Sequence, residues 1–442
     1  MYVVSDLLSF IAQSPSAFHV VKASEDMLHS AGFLPLMWGK PWQLERGKCY
    51  YVKVFGSAMF AFRVGKSGRG KRGIRMAAAH TDFPGFRVKP IASMKEDGYG
   101  LLNVEPYGGL ILSSFLDRPM SLAGEIVLRG EDAFHPDVYL VDIARPLMII
   151  PRLAIHMNRD VNTKGEKLNR QTDLAPIAAL LDENCGEDYF RAKLAREIDR
   201  KPEEILSYDL TAYPVAAGCT LGFDGEMIAS PRLDNLASVR AALDGLIDSN
   251  NASGDGIDVV ALFDNEEIGS RTKAGASSGL ARELLEAIYR ALSLDADDLA
   301  EDIARGFLIS VDAAHALHPS HAEKADPTNR PRLGRGFVIK EAASGAYVGD
   351  ATSAAVVRSI ADDAKIPYQY FANRNDIPGG ATFGSMLSAS LVMRGQDIGV
   401  PILSMHSARE TMAAADQESL TRFITSFFAS EEKKKDRPKA KK

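Results

Sequence analysis

The sequence predicts an α/β protein in which one mixed-sheet domain is interrupted by a β-rich insert. Three observations lead to this. Strand and helix patterns alternate through about residue 80 and again from about residue 233. Between about residues 89 and 223 helical periodicity is sparse, and β-rich pieces recur between turn signals. At 442 residues the chain is too long for one ordinary core. The implied division is 1–90 and 225–430 for the α/β domain, 91–224 for the insert and 431–442 for a charged tail.

Each element follows from local pattern. Leu7, Leu8, Phe10 and Ile11 make one helical face, and Ser14-Pro15-Ser16 separates it from a second amphipathic run over 17–31. Apolar, β-branched and aromatic residues over 49–54, 58–64 and 74–79 read as strands, the third ending at His80. Within the insert, 124–128 and 138–141 are β-rich. Beyond it, helices are expected over 233–247, 277–292, 351–361 and 380–390, with buried strands over 257–263 and 306–311. The Lys- and Glu-rich segment after residue 430 is expected to be a solvated tail.

Composition narrows the function classes. The chain is 46% apolar and 25% charged, as in globular proteins. A net charge of -6 gives no general attraction to nucleic acid or anionic membranes. Cys49, Cys185 and Cys219 form no CxxC pair, which argues against a disulfide scaffold or thiolate metal site and fits a reducing compartment. With no signal-like N-terminus and no apolar run of membrane length, a cytoplasmic location is expected.

The chemistry lies at the predicted element ends. His80, Asp234, Glu266-Glu267, Asp312 and His406 each sit in a short polar motif beside an apolar run. Imidazole and carboxylate together suit zinc and similar metals. Two metals sharing a bridging carboxylate need about this many ligands, plus a spare carboxylate to handle a water. The order His…Asp…Glu-Glu…Asp…His is therefore the outline of a dinuclear hydrolase. Other roles exist for each residue taken singly: Asp234 also fits a helix N-cap, Asp312 a turn, and His80 a structural site. Asp82 is placed to accept the spare imidazole N–H of His80. Two further patterns carry less. Gly65-Lys66-Ser67-Gly68-Arg69-Gly70-Lys71 imitates a phosphate loop, but Arg72 follows it and a strand comes next, so a basic hairpin turn is expected. His315, His318 and His321 resemble a metal cluster, but Pro319 breaks any helix through them, and flanking roles are expected.

At these motifs the chain resembles the aspartyl aminopeptidase family of dinuclear zinc exopeptidases. Similar segments include Ser14-Pro15-Ser16-Ala17-Phe18-His19, Ala79-His80-Thr81-Asp82, Tyr107-Gly108-Gly109 and Asp264-Asn265-Glu266-Glu267-Ile268-Gly269-Ser270. Others are Leu153-Ala154-Ile155-His156-Met157-Asn158-Arg159, His315-Ala316-Leu317-His318-Pro319, Arg374-Asn375-Asp376-Ile377-Pro378-Gly379-Gly380 and Met405-His406-Ser407-Ala408-Arg409-Glu410. They run in order over nearly the whole chain. The resemblance implies a zinc-aminopeptidase-like catalytic domain with a β-rich oligomerisation insert. It also implies two divalent ions, zinc with manganese or cobalt as alternatives. Asp234, Glu267 and His406 would hold one ion and His80, Asp234 and Asp312 the other, with Asp234 bridging. Glu266 would be the general base and Asp82 the orienter of His80. Lys340 and Tyr347 would line the pocket for an acidic N-terminal side chain, and His156 would reach a neighbouring subunit's site in a dodecamer. The chain departs from the family at Ser320-His321 and over 342–346, both near the expected pocket. Two other readings are a dinuclear hydrolase of another N-terminal or N-acyl specificity, and a shell protein without turnover.

Overall fold

A computed structural model describes residues 2–67, 72–183, 185–249 and 255–430. The expected tail at 431–442 lies outside the described residues. A nine-stranded mixed sheet forms the centre of the α/β part. Its order is Leu34–Met37, Cys49–Val54, Ala58–Val64, Ile257–Phe263, Ile74–His80, Phe307–Val311, Gly395–Gly399, Phe337–Lys340 and Tyr368–Phe371. Alternation along the strands feeds two cores. Ala77, Ala79, Val260 and Leu262 face one side, against the helices Tyr2–Ala12, Ala17–Ser30, Leu233–Asp248 and Ala414–Ala429. Met76, Ala78, Val259, Ala261 and Phe263 face the other, against Leu280–Ala291, Ala296–Arg305 and Gly384–Leu391. Both faces are covered, so the central strands are continuous apolar runs.

Ile257–Phe263, Ile74–His80 and Phe307–Val311 are adjacent and parallel. Their C-terminal ends therefore lie side by side, and they deliver Asp264 to Glu267, His80 and Asp312 to one edge of the sheet. That edge is where open α/β sheets bind ligands.

A separate six-stranded antiparallel sheet, in the order His135–Asp142, Met120–Asp132, Ile205–Pro214, Gly85–Glu96, Tyr99–Tyr107 and Ile177–Leu180, has its own core around Phe86, Leu122, Ile126 and Leu210. It also carries the helix Tyr189–Glu197, which the sparse periodicity there did not suggest. This sheet starts before residue 91. Phe86 and Val88 already point into its core, while Cys219–Leu221 joins a different five-stranded sheet with Met227–Ser230 and Glu410–Ala413. The expected hairpin between Ala58–Val64 and Ile74–His80 does not form. Ile257–Phe263 lies between the two strands, pairing antiparallel with one and parallel with the other. The helix expected from 380 begins at Gly384, and 380–382 line a cleft instead. Among the described residues no helix is long and apolar enough to cross a membrane.

Candidate metal centre

His80 ends its strand fully buried. Its Nδ1 lies 3.0 Å from the backbone carbonyl of Asp82. A carbonyl only accepts, so Nδ1 carries a proton, and Nε2 is the nitrogen turned toward the carboxylates and able to ligate once its own proton is released. Nε2 lies 3.5 Å from both Asp234 Oδ1 and Asp312 Oδ1. His406 is oriented the same way. Its Nδ1 is 3.0 Å from the Gly109 carbonyl, and its Nε2 is 3.4 Å from Asp234 Oδ2 and 3.5 Å from Glu267 Oε2. The two imidazoles thus meet the two oxygens of Asp234 from opposite sides, one accompanied by Asp312 and the other by Glu267.

These residues fit divalent cations. Asp234 Oδ1 and Glu267 Oε1 are buried without a hydrogen-bond partner. Ligand atoms of His80, Asp234 and Glu267 lie within 4.8 Å of one another. Imidazole and carboxylate donors in one cluster suit zinc, and manganese or cobalt also accept them. Electrostatics agree. Burial opposes the charge on Asp234, yet the neighbouring imidazoles of His406 and His80 hold its pKa well below the carboxylate range. Burial, then the charge of Asp234, pushes Glu267 well up. Burial lowers the pKa of His406, but Asp234 and Glu267 outweigh it and raise the imidazole to about 10. Bound cations would reverse this balance by drawing out the ligands' protons.

The surroundings set these positions. Asp82 meets the His80 Nδ1 with both its backbone carbonyl, at 3.0 Å, and its carboxylate, at 3.4 Å. The carboxylate also accepts the Glu266 N–H at 3.0 Å, the Glu267 N–H at 3.1 Å and the Tyr107 hydroxyl at 2.7 Å. The reason is topological: Asp82 and Glu266-Glu267 leave neighbouring parallel strands at the same edge. Asp82 therefore anchors the Glu-Glu turn. Gly108 explains the Tyr-Gly-Gly segment: at φ +76° it lies where a Cβ would come 3.1 Å from Glu267 Cβ. The Asp234 carboxylate makes no capping bond: its Oδ1 is unpartnered, while its backbone, non-helical together with that of Asn235 at the start of Leu233–Asp248, sends its N–H to Glu410 Oε2 at 3.0 Å.

A cleft of about 300 Å³ opens on this centre, lined by His80, Asp234, Glu266, Asp312 and His406 together with His315, Lys340 and Tyr347. Burial, then the charges of Asp312 and Asp82 against the offsetting charge of His80, pushes Glu266 up to about 8. Lys340, 1% exposed, ends Phe337–Lys340 with its Nζ 3.2 Å from the Ala313 carbonyl and 3.7 Å from Asp312 Oδ2. Its ammonium stands 5.1 Å over the Tyr347 ring. Burial works against this charge, but Asp312 and Asp397 raise its pKa above the usual lysine value. His318 and His321 line an adjoining chamber of about 260 Å³ that shares His315 and Phe371 with the cleft. His156 is exposed and is not among the residues lining this chain's own cleft. Sequence reasoning missed Glu410, and also Asp397, which accepts from the Thr382 hydroxyl at 2.8 Å and the Val348 N–H at 2.5 Å and so ties two cleft-lining loops together. Their only signal was an acidic residue inside a buried strand.

Comparison with known proteins gives the lineage. The sequence model of the aminopeptidase I zinc metalloproteases (M18) matches residues 10–428. A probable M18 family aminopeptidase 2 of Clostridium novyi is 43% identical over 414 residues, covering 93% of this chain and 95% of that protein. A chain in the cryo-EM structure of the Ape4 and Nbr1 complex superposes with a TM-score of 0.92 at 33% identity, covering 97% of this chain and 85% of that one. The S. cerevisiae mApe1 dodecamer gives 0.82 at 25% identity, covering 96% and 95%. With the family matched over nearly its whole length, the chain belongs to the M18 aminopeptidases, zinc metalloprotease hydrolases.

Proposed function

We propose that this aminopeptidase removes an N-terminal Asp or Glu from peptides, using two divalent ions bridged by Asp234. The observation that carries this reading is the approach of the His80 and His406 Nε2 atoms to the two separate oxygens of one buried carboxylate. His80 and Asp312 would complete one ion's ligands, and His406 and Glu267 the other's. When bound, such ions supply Lewis acidity that acidifies water and polarises the scissile carbonyl. Glu266 lines the cleft and would take the water's proton and pass it to the leaving amine. Asp82 holds Glu266 at that place through its backbone N–H. The buried ammonium of Lys340, with Tyr347 beneath it, would replace the hydration that a substrate carboxylate loses on entry.

Glu266→Gln tests the reading. The amide has nearly the same shape but cannot accept a proton at neutral pH. Turnover should fall by ~10²–10⁴-fold or more while metal content stays unchanged. A variant with unaltered turnover would remove Glu266 from the mechanism.

We further propose a closed homo-oligomer, a dodecamer as in the mApe1 structure that this chain resembles. The edge strand His135–Asp142 leaves Val138 53% and Leu140 42% exposed, next to Phe134 at 89%. An uncovered apolar edge strand is a pairing surface. His156, exposed here, would then act in a neighbouring subunit's cleft.

A further inference from the structure

We propose that Glu410 is a positioning residue that locks two metal ligands from distant chain segments into a single spacing. This rests on the dinuclear reading above. Glu410 opens the strand Glu410–Ala413 and is 1% exposed. Its two carboxylate oxygens are divided between two backbone amides: Oε1 accepts the His406 N–H at 2.7 Å, and Oε2 accepts the Asp234 N–H at 3.0 Å. Neither amide sits in regular structure, because His406 has φ +65° and Asp234 is non-helical. Regular strand pairing stops short of both ligands, and the Glu410 side chain is the direct link between their two amides.

The carboxylate is itself well anchored. Ser230, which leads through Pro231 to Asp234, is the strand partner of Glu410. A carboxylate with both oxygens in use has a specific consequence. Glutamine keeps the shape but offers one oxygen, and its NH₂ must face the other N–H. Half of the clamp becomes a donor–donor contact, and Asp234 and His406 lose their common reference. The ion shared by His406, Glu267 and Asp234 should suffer first, since both clamped residues belong to it.

The test is equilibrium binding of zinc to metal-free protein against a competing chelator, together with the thermal midpoint of the metal-free forms. Wild type should bind two ions. Glu410→Gln should weaken one of them by roughly ten- to a hundred-fold, the usual effect of losing an outer partner of a ligand. Its kcat should fall at limiting zinc and recover in excess zinc, with KM unchanged. Wild-type affinity for both ions in Glu410→Gln overturns the proposal, as does a lowered midpoint with unaltered zinc affinity. Failure of wild type to bind a second ion overturns the dinuclear reading instead. Glu410→Asp keeps the charge but is one methylene shorter, so it should show the same weakening, and wild-type affinity there also counts against the proposal. Unaltered protein supplies a measurement that needs no variant. Residue-resolved hydrogen exchange should find the Asp234 and His406 amides protected even after the metals are stripped, because the carboxylate holds them. Rapid exchange at both overturns the proposal.

Discussion

Replacing Lys340 by Met removes a charge while keeping most of the side chain's volume. The ammonium has three N–H donors, one of which is used on the Ala313 carbonyl at 3.2 Å. The rest are open to the cleft and to Asp312 Oδ2 at 3.7 Å. With its pKa above the ordinary lysine value, the group is cationic at neutral pH. A substrate carboxylate would therefore gain one charge-assisted contact of ~1.5–3 kcal/mol, equivalent to roughly ten- to a hundred-fold in kcat/KM. Lys340 also neutralises part of the charge on Asp312, so the variant is expected to shift metal affinity as well. That effect is common to all substrates and cancels in a ratio. The assay is kcat/KM for Asp, Glu, Ala and Leu anilides at saturating metal, with metal content measured in parallel. The acidic-to-neutral ratio should fall by the stated factor. Equal losses on acidic and neutral substrates would refute the idea that Lys340 reads the side chain.

Asp234→Ala removes the carboxylate that faces both imidazoles, so elemental analysis should find both metals lost, and two tightly held ions would exclude a bridging role. His156→Ala should lower activity without lowering metal content, because the residue would act across subunits. Light scattering showing a fully active monomer would contradict both that role and the proposed assembly. Metal affinity should rise with pH. In the metal-free chain His406 is raised to about 10, so at neutral pH it is protonated and must release its proton to become a ligand. Its folded, metal-free pKa lies above the usual imidazole value, so the penalty on binding grows as pH falls below about 10. Calorimetry in buffers of different ionisation enthalpy should detect net proton release at pH 7, and the absence of release would contradict the assignment of His406 as a ligand.

Much of this architecture was legible because its signals are local. Apolar runs marked 58–64 and 74–79 as strands and 257–263 as a buried strand, and helical periodicity marked 233–247. His80 and Asp312 were singled out because polar residues at the ends of apolar strands stand out. The missed helix Tyr189–Glu197 has a weakly apolar face, with Tyr189, Phe190, Leu194 and Ala195 its buried residues. The expected hairpin failed because strand pairing depends on partners distant in sequence. Nothing within 58–80 announces that Ile257–Phe263 will separate the two strands.

By itself, then, the sequence determined the class of fold, the donor types and their placement at element ends, because hydrophobic periodicity and residue chemistry are properties of short windows. Only the tertiary structure decided that Asp82 braces the Glu266-Glu267 turn with its carboxylate while His80 leans on its carbonyl. Only there does Lys340 become a buried cation beside Asp312, and only there does Glu410 join Asp234 to His406. Hydrogen bonds between segments far apart in the chain depend on how strands are ordered in a sheet, and strand order is set by the packing of the whole molecule rather than by the residues on either side of each partner.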